Sequence, residues 1–280
     1  MKNLLIFGAG QMGQAVLPLI NQKHYHLIGF GDNAKKEQTM IKNIPLYTME
    51  EALLLPIDVI LVAVTGIERQ TEIIKQLHHN GYNKEIIEIT KLIEAIDIRS
   101  AFTIKLKDRL KDIEGAVAEL GVFQGEFSKV LNAVFPRRKL YLFDTFNGFD
   151  ERDIQMENET GLSKAYKEEF QNTSIQMVLE KLSNPSQVII KEGYFPDTTI
   201  GIEETFALVS IDVDLYTPTY EGLKWFIKRM NKGAIILLHD YGNQRFQGVK
   251  KAVEDYEKEY GSLVLVELCD LHGTAIIIKQ

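Results

Sequence analysis

The chain has 280 residues, 45% of them hydrophobic and 25% charged, with a formal net charge of −7. This length and balance suit one large or two ordinary globular domains with full cores. An acidic chain with no long Lys/Arg run is not expected to bind nucleic acid, whose recognition clusters cations, and no apolar run reaches the roughly 20 residues of a membrane span. The single cysteine, Cys269, cannot form an intrachain disulfide or a cysteine metal site, and a buried, inert thiol is expected. The opening "MKNLLIFGAG" passes from an apolar run straight into turn residues, so it reads as a strand rather than a signal peptide. A cytoplasmic protein is expected.

Short β-rich runs alternate with helical patterns along the chain, as in parallel α/β folds. In the first pass "NLLIF", "HLIGF", "DVILVAV" and "EIIEI" read as strands. "QMGQAVLPLI" and the stretch from about Glu68 to His79 read as helices, and Pro18 should kink or end the first of them. The charged, helically patterned stretch from Lys91 to Lys111 reads as a connector. The second pass has strands at "GAVAELG", "KLYLFD", "QVIIKEG", "FALVSIDVD", "GAIILLHD", "LVLVEL" and "TAIIIK". Two glycine-marked first turns, near Gly8 and Gly121, predict two tandem Rossmann-like domains, residues 1–97 and 98–280.

"GAGQMG" places Gly8, Gly10 and Gly13 in the G-x-G-x-x-G spacing, after a strand and at the start of a helix. Glycines there let backbone N–H groups and a helix N-terminus approach a pyrophosphate. Asp32 ends the second strand, where a ribose-binding acid belongs. The bland alternative is a degenerate domain that serves packing or oligomerisation. With "GFGDN" at its second strand end, the region resembles the small Rossmann-like domains of sugar-modifying and polysaccharide-biosynthesis proteins. That resemblance implies a nucleotide or nucleotide-sugar ligand.

"AVAELGVFQGEFSKVL" combines a strand reaching Glu119 with a turn carrying Gly121 and Gly125. It resembles the first motif of class I S-adenosylmethionine-dependent methyltransferases. The glycines would admit the methionine part of that cofactor, and Glu119 would accept from its ammonium. Asp144 would take the ribose hydroxyls. "VAELGVFQGEFS", "LFDTFNGF", "KEGYFPDT", "IDVDLYTPT" and "LLHDYG" then follow in the order of the macrocin-type sugar O-methyltransferases, which the chain resembles over roughly Gly115 to Tyr260. The resemblance implies an S-adenosylmethionine-dependent enzyme methylating a hydroxyl of a sugar or glycosylated small molecule. It adds Thr145, Gly193 and Phe195 to the cofactor side, although core packing is an equal reading for Phe195 and Tyr216.

Asp212 and Asp240 end two strands expected to be neighbours, where ligands of open α/β sheets bind. Buried, unpaired carboxylates repel and are costly to desolvate, and a hard divalent cation resolves this. By the resemblance, Asp212 and an adjacent acidic pair hold Mg²⁺ or Mn²⁺, and Asp214 is the general base. Here the pair reads His239-Asp240. His239 is then a ligand to a softer metal, a second base, or part of a metal-free site. Alternatively, Asp212, Asp214 and Asp240 only cap helix N-termini.

The remaining histidines, His24, His26, His78, His79 and His272, lack metal-ligand spacing with acids and suit core or surface roles. Residues 147–170 are long, polar and acidic, and read as a mobile lid or a disordered loop. Two rival functions stay open: a nucleotide-dependent oxidoreductase or epimerase centred on "GAGQMG", and a non-catalytic nucleotide-binding protein. A homodimer is the default assembly.

Overall fold

The computed structural model describes residues 1–34 and 39–280. The chain divides into two compact units, Met1–Asp97 and Ile98–Gln280.

The first unit runs β1 (Lys2–Phe7), α1 (Gln11–Ala15), β2 (Tyr25–Gly31), β3 (Met40–Ile41), β4 (Ile44–Tyr47), α2 (Met49–Leu53), β5 (Val59–Val62), α3 (Ile67–His79), β6 (Glu85–Glu88) and α4 (Ile89–Ala95). Its sheet has the order β3-β4-β2-β1-β5-β6, parallel except for the β3–β4 pair. All four residues of β5 are buried, as expected of a parallel strand covered on both faces. α1 is short because Pro18 follows it. A 3₁₀ turn over Leu17–Leu19 takes the proline in its first positions, where a missing N–H costs nothing. Sequence patterning missed β3, β4 and α2, which are too short to carry a period. α2 is nonetheless marked by a capping box, in which Thr48 and Glu51 satisfy each other's backbone N–H.

The second unit runs α5 (Ile98–Arg109), β7 (Ala116–Leu120), α6 (Glu126–Val134), β8 (Leu140–Asp144), α7 (Glu151–Thr160), α8 (Ile175–Glu180), β9 (Val188–Glu192), β10 (Phe206–Ile211), α9 (Tyr216–Ile227), β11 (Met230–Leu238), α10 (Gln247–Tyr260), β12 (Val264–Glu267) and β13 (Ala275–Ile278). The sheet order is β12-β13-β11-β10-β7-β8-β9, and only β13 runs antiparallel to its neighbours. Period-two alternation divides the core between the faces. Ala116, Ala118 and Leu120 of β7 join Tyr141, Phe143, Val209 and Ile236 against Leu223 and Phe226 of α9 and Val249 and Val253 of α10. Val117, Leu142 and Leu237 turn the other way, toward Leu106 of α5, Phe127 and Leu131 of α6 and Val178 of α8. Each fully buried Phe or Leu contributes roughly 1.5–3 kcal/mol.

Two expectations are corrected. Residues 147–170 are not a structureless loop: they contain α7, capped by the Asp150 side chain accepting from Arg152 N. The segment is tied down through buried Glu157 and Glu169. Cys269 is exposed, because it lies in the connection beyond the edge strand β12 rather than on a core-facing position. Among the described residues, no helix is long and apolar enough to cross a membrane.

Candidate active site

A cavity of about 430 Å³ opens at the carboxyl ends of β7, β8, β9, β10 and β11. Its wall holds Glu119, Gly121, Asp144, Thr145, Gly193, Phe195, Asp212, Asp214, His239 and Asp240 together. Gly125 is set back from it, acting as the left-handed N-cap of α6 with φ +78°. Gly8, Gly10, Gly13 and Asp32 belong to the other unit.

The turn after β7 is shaped by backbone constraint. Gly121 has φ +86°, and a Cβ there would lie 1.9 Å from the Asp212 carbonyl oxygen. Only glycine fits this approach. The turn is fixed by Asp144 at the end of β8, whose Oδ2 accepts from Val122 N (2.6 Å) and Phe123 N (2.9 Å). Its Oδ1 accepts from Phe146 N at 2.6 Å. A carboxylate offers about four acceptor sites, so Oδ1 keeps one for a ligand hydroxyl. Thr145 Oγ1 donates to Gly148 O and so serves its own turn. Gly193 has φ +128° and donates its N–H to Asp144 O. Phe195 stacks on Phe226 and meets Phe143 edge-on, so it is a core residue with one side on the cavity. Tyr216 stacks on Tyr220 and donates to Asp255 of α10, away from the cavity.

Glu119 is 1% exposed and accepts from the Ser128 hydroxyl of α6. Burial pushes its carboxyl up to about 8, although the Ser128 bond and the charge of Arg99 oppose the shift. Such a group is neutral in an apolar pocket and ionises when a cation arrives.

The second cluster stands on β10 and β11. Asp212 N donates to Leu120 O and His239 N to Ile211 O, which extends the parallel ladder past the strand ends and sets the side chains abreast. Asp212 Oδ1 lies 3.0 Å from His239 Nδ1, and Oδ2 lies 2.6 Å from Arg99 Nη1. The same His239 nitrogen is 2.5 Å from Asp240 Oδ2. Burial alone would raise the Asp212 carboxyl, but His239 and Arg99 hold it well below the usual carboxylate range. Burial alone would lower the His239 ring, but Asp212 and Asp240 push it up to about 10. Asp214 is raised well above its ordinary value, first by burial and then by the charges of Asp240 and Asp212, with a hydrogen bond to Asp240 adding to it. Asp214 and Asp240 both sit at positive φ, +59° and +58°, a conformation non-glycine residues keep only where surrounding structure imposes it.

These acids do not cap helices. α9 and α10 have Leu215 and Phe246 at their N-caps, without side-chain caps, and the first N–H of α9 is taken by Glu157 Oε1 of α7. α7 also supplies Asp153 to the cavity wall. Burial pushes its carboxyl up to about 6, while its bond to Tyr194 Oη at 2.9 Å works the other way.

Sequence reading missed Arg99, which fell in the stretch taken for a connector; no local motif marks it. His272 is exposed, in keeping with a surface role, with its ring 5.5 Å from that of His239.

In the first unit, Gly8 has φ +107°, and a Cβ on Gly13 would lie 1.9 Å from Gly8 O. Asp32 accepts from Ala9 N and Ala34 N, each at 2.8 Å.

Residues 104–276 match the macrocin-O-methyltransferase (TylF) family, and residues 1–88 match a family described as C2185-like, N-terminal. A Streptomyces olivaceus protein, 8-demethyl-8-(2,3-dimethoxy-alpha-L-rhamnosyl)-tetracenomycin-C 4'-O-methyltransferase, is 24% identical over 60% of this chain and 67% of its own. Two solved structures share the fold. The O-methyltransferase NovP gives a TM-score of 0.54 at 19% identity, over 65% of this chain and 79% of that one. The calicheamicin methyltransferase CalS11 gives 0.54 at 21% identity, over 77% of this chain and 94% of that one. With more than half of its residues matching the family model around this cavity, the chain belongs to the macrocin-O-methyltransferase (TylF) family and is an S-adenosylmethionine-dependent O-methyltransferase.

Proposed function

We propose that the chain methylates a hydroxyl of a sugar or sugar-bearing small molecule in the cavity of its second unit. The observation that carries this reading is the convergence of Glu119, Asp144, Asp212, Asp214, His239 and Asp240 on one cavity within the family-matched residues. The relatives named above support a glycosylated acceptor. The family match lies around this cavity, which favours the transferase over an oxidoreductase or epimerase centred on "GAGQMG".

In this reading S-adenosylmethionine supplies an electrophilic methyl carbon on a sulfonium. Gly121 and the turn after it leave backbone room for the methionine part, and Glu119 receives its ammonium. Asp144 takes a ribose hydroxyl through the acceptor site left on Oδ1. Gly193, with Thr145 and Phe195 beside it, borders the nucleoside. Asp214 takes the proton of the acceptor hydroxyl. The acceptor oxygen forms the new O–CH₃ bond as the C–S bond breaks, with its electron pair left on sulfur. Burial and the neighbouring acids make Asp214 a stronger base than an ordinary carboxylate.

Asp212, His239 and Asp240 present ligand atoms within 4.8 Å of one another and form the set a divalent ion would use. Their partners do not suit a hard ion. Both Asp212 oxygens meet cationic or N–H donors, one of them a guanidinium, and imidazole is a softer ligand than carboxylate. No step is therefore assigned to a metal.

For the first unit, the turn through Gly8, Gly10 and Gly13 supports a Rossmann-type site for a nucleotide or nucleotide-sugar. The test of the whole reading is calorimetric titration of S-adenosylhomocysteine into wild type and Asp144→Ala. Micromolar binding that weakens at least tenfold in the variant is expected. No binding to wild type rejects the cofactor assignment.

A further inference from the structure

The acids of this site are already met by the protein's own nitrogen donors. Arg99 Nη1 sits 2.6 Å from Asp212 Oδ2. Its guanidinium lies over the Phe127 ring at 3.9 Å from the centroid, and its side chain is 16% exposed. Phe127 is itself buried in α6, so the stacking surface is fixed. Planar stacking of this kind holds a guanidinium in one orientation. On the other oxygen of Asp212, His239 Nδ1 stands at 3.0 Å, and its 2.5 Å approach to Asp240 Oδ2 bridges the two acids through one nitrogen. Asp240 Oδ1 accepts from Asn243 Nδ2. Every carboxylate oxygen of Asp212 and Asp240 thus has a nitrogen within reach, the one Nδ1 of His239 being shared between Asp212 Oδ1 and Asp240 Oδ2. A dication entering between them would displace the His239 contacts and face the Arg99 charge across a single carboxylate. Arg99 also lies outside residues 104–276, so the family match does not account for it.

We propose that this chain carries out methyl transfer without a divalent ion, the Arg99 guanidinium at Asp212 and the His239 Nδ1 contacts to Asp212 and Asp240 taking up the positions an ion would occupy. The acceptor hydroxyl is then positioned by hydrogen bonds from cavity side chains rather than by coordination. The inference rests on the methyltransferase reading of the same cavity. Arg99 is here a positioning residue: it fixes Asp212, beside Asp214.

The experiment is titration of Mn²⁺ into the full chain, followed by paramagnetic resonance of the free ion, with S-adenosylhomocysteine binding measured on the same samples. Wild type is expected to bind S-adenosylhomocysteine and to take up Mn²⁺ no more tightly than millimolar. The double variant Arg99→Ala/His239→Asp removes the guanidinium and the imidazole and adds an oxygen ligand. It is expected to gain one Mn²⁺ site at least about 30-fold tighter, which Asp212→Asn added to it abolishes. Stoichiometric micromolar Mn²⁺ on wild type overturns the proposal by itself, and its loss in Asp212→Asn would assign the ion to this cluster. A double variant that binds S-adenosylhomocysteine but no Mn²⁺ overturns it too, because Arg99 and His239 would not be what keeps the ion out. Loss of S-adenosylhomocysteine binding in wild type is a different failure, that of the underlying methyltransferase reading.

Discussion

The two units use one device twice and differ in what stands beside it. In each, the first parallel strand runs into a glycine turn, and a carboxylate at the end of the neighbouring strand clamps that turn by its backbone N–H groups. Asp32 holds Ala9 in the first unit, and Asp144 holds Val122 and Phe123 in the second. The difference lies on the other side of the first strand. Beside β1, β5 runs out into Ala63-Val64-Thr65; beside β7, β10 runs out into Asp212-Val213-Asp214. The turn is common to both units, and the neighbouring strand end carries acids only in the second.

Several changes would break or sharpen that contrast. The largest effect is expected from Asp214→Asn, which would remove the proposed proton acceptor and should lower kcat about 10²- to 10⁴-fold. Its S-adenosylhomocysteine affinity should stay within a few-fold; unchanged turnover would take Asp214 out of the mechanism. Within the turns, Gly121→Ala and Gly13→Ala each drive a Cβ to 1.9 Å of a carbonyl oxygen. Each should cost at least about 2 kcal/mol of stability by denaturant unfolding. Gly10→Ala meets nothing within 4 Å and should cost little. Equal losses at Gly10 and Gly13 would refute the steric argument. For the clamps, Asp144→Ala should weaken S-adenosylhomocysteine binding about 10- to 30-fold, while Asp32→Ala should leave it unchanged. An equal effect of both would mean that the two turns are not independent.

The smallest effect is a proton. Glu119 has a folded value of about 8 against an ordinary 4.5, so its contribution to stability is complete below about 4.5 and lost as pH rises through about 8. In that window the ligand-free protein holds a proton that an incoming ammonium would displace if Glu119 receives it as proposed. Calorimetry at pH 7 in buffers of different ionisation enthalpy should report release of up to one proton per S-adenosylhomocysteine bound, and none in Glu119→Gln. An equal release in that variant would move the linkage to another group.

The strands, both glycine turns and the acids at the ends of β10 and β11 were legible because each is a local pattern: an apolar run, a glycine at fixed spacing, a polar residue just past a strand. Short elements were not legible. β3 and β4 carry two and four residues, too few to show a period. α7 hid in a stretch whose polarity resembled a loop, and only its packing through Asp153 and Glu157 makes it a wall of the cavity.

What the sequence by itself determined is therefore the order of strands and turns and the placing of Glu119, Asp144, Asp212, Asp214, His239 and Asp240 at strand ends, since period and turn chemistry are local. What only the tertiary structure decided is the charge balance among them. Arg99 meets Asp212 across 113 positions of chain. That pairing exists because Leu106 of α5 and Phe127 and Leu131 of α6 share one apolar layer on a face of the sheet. Coulomb interactions act through space, and no spacing along the chain encodes them.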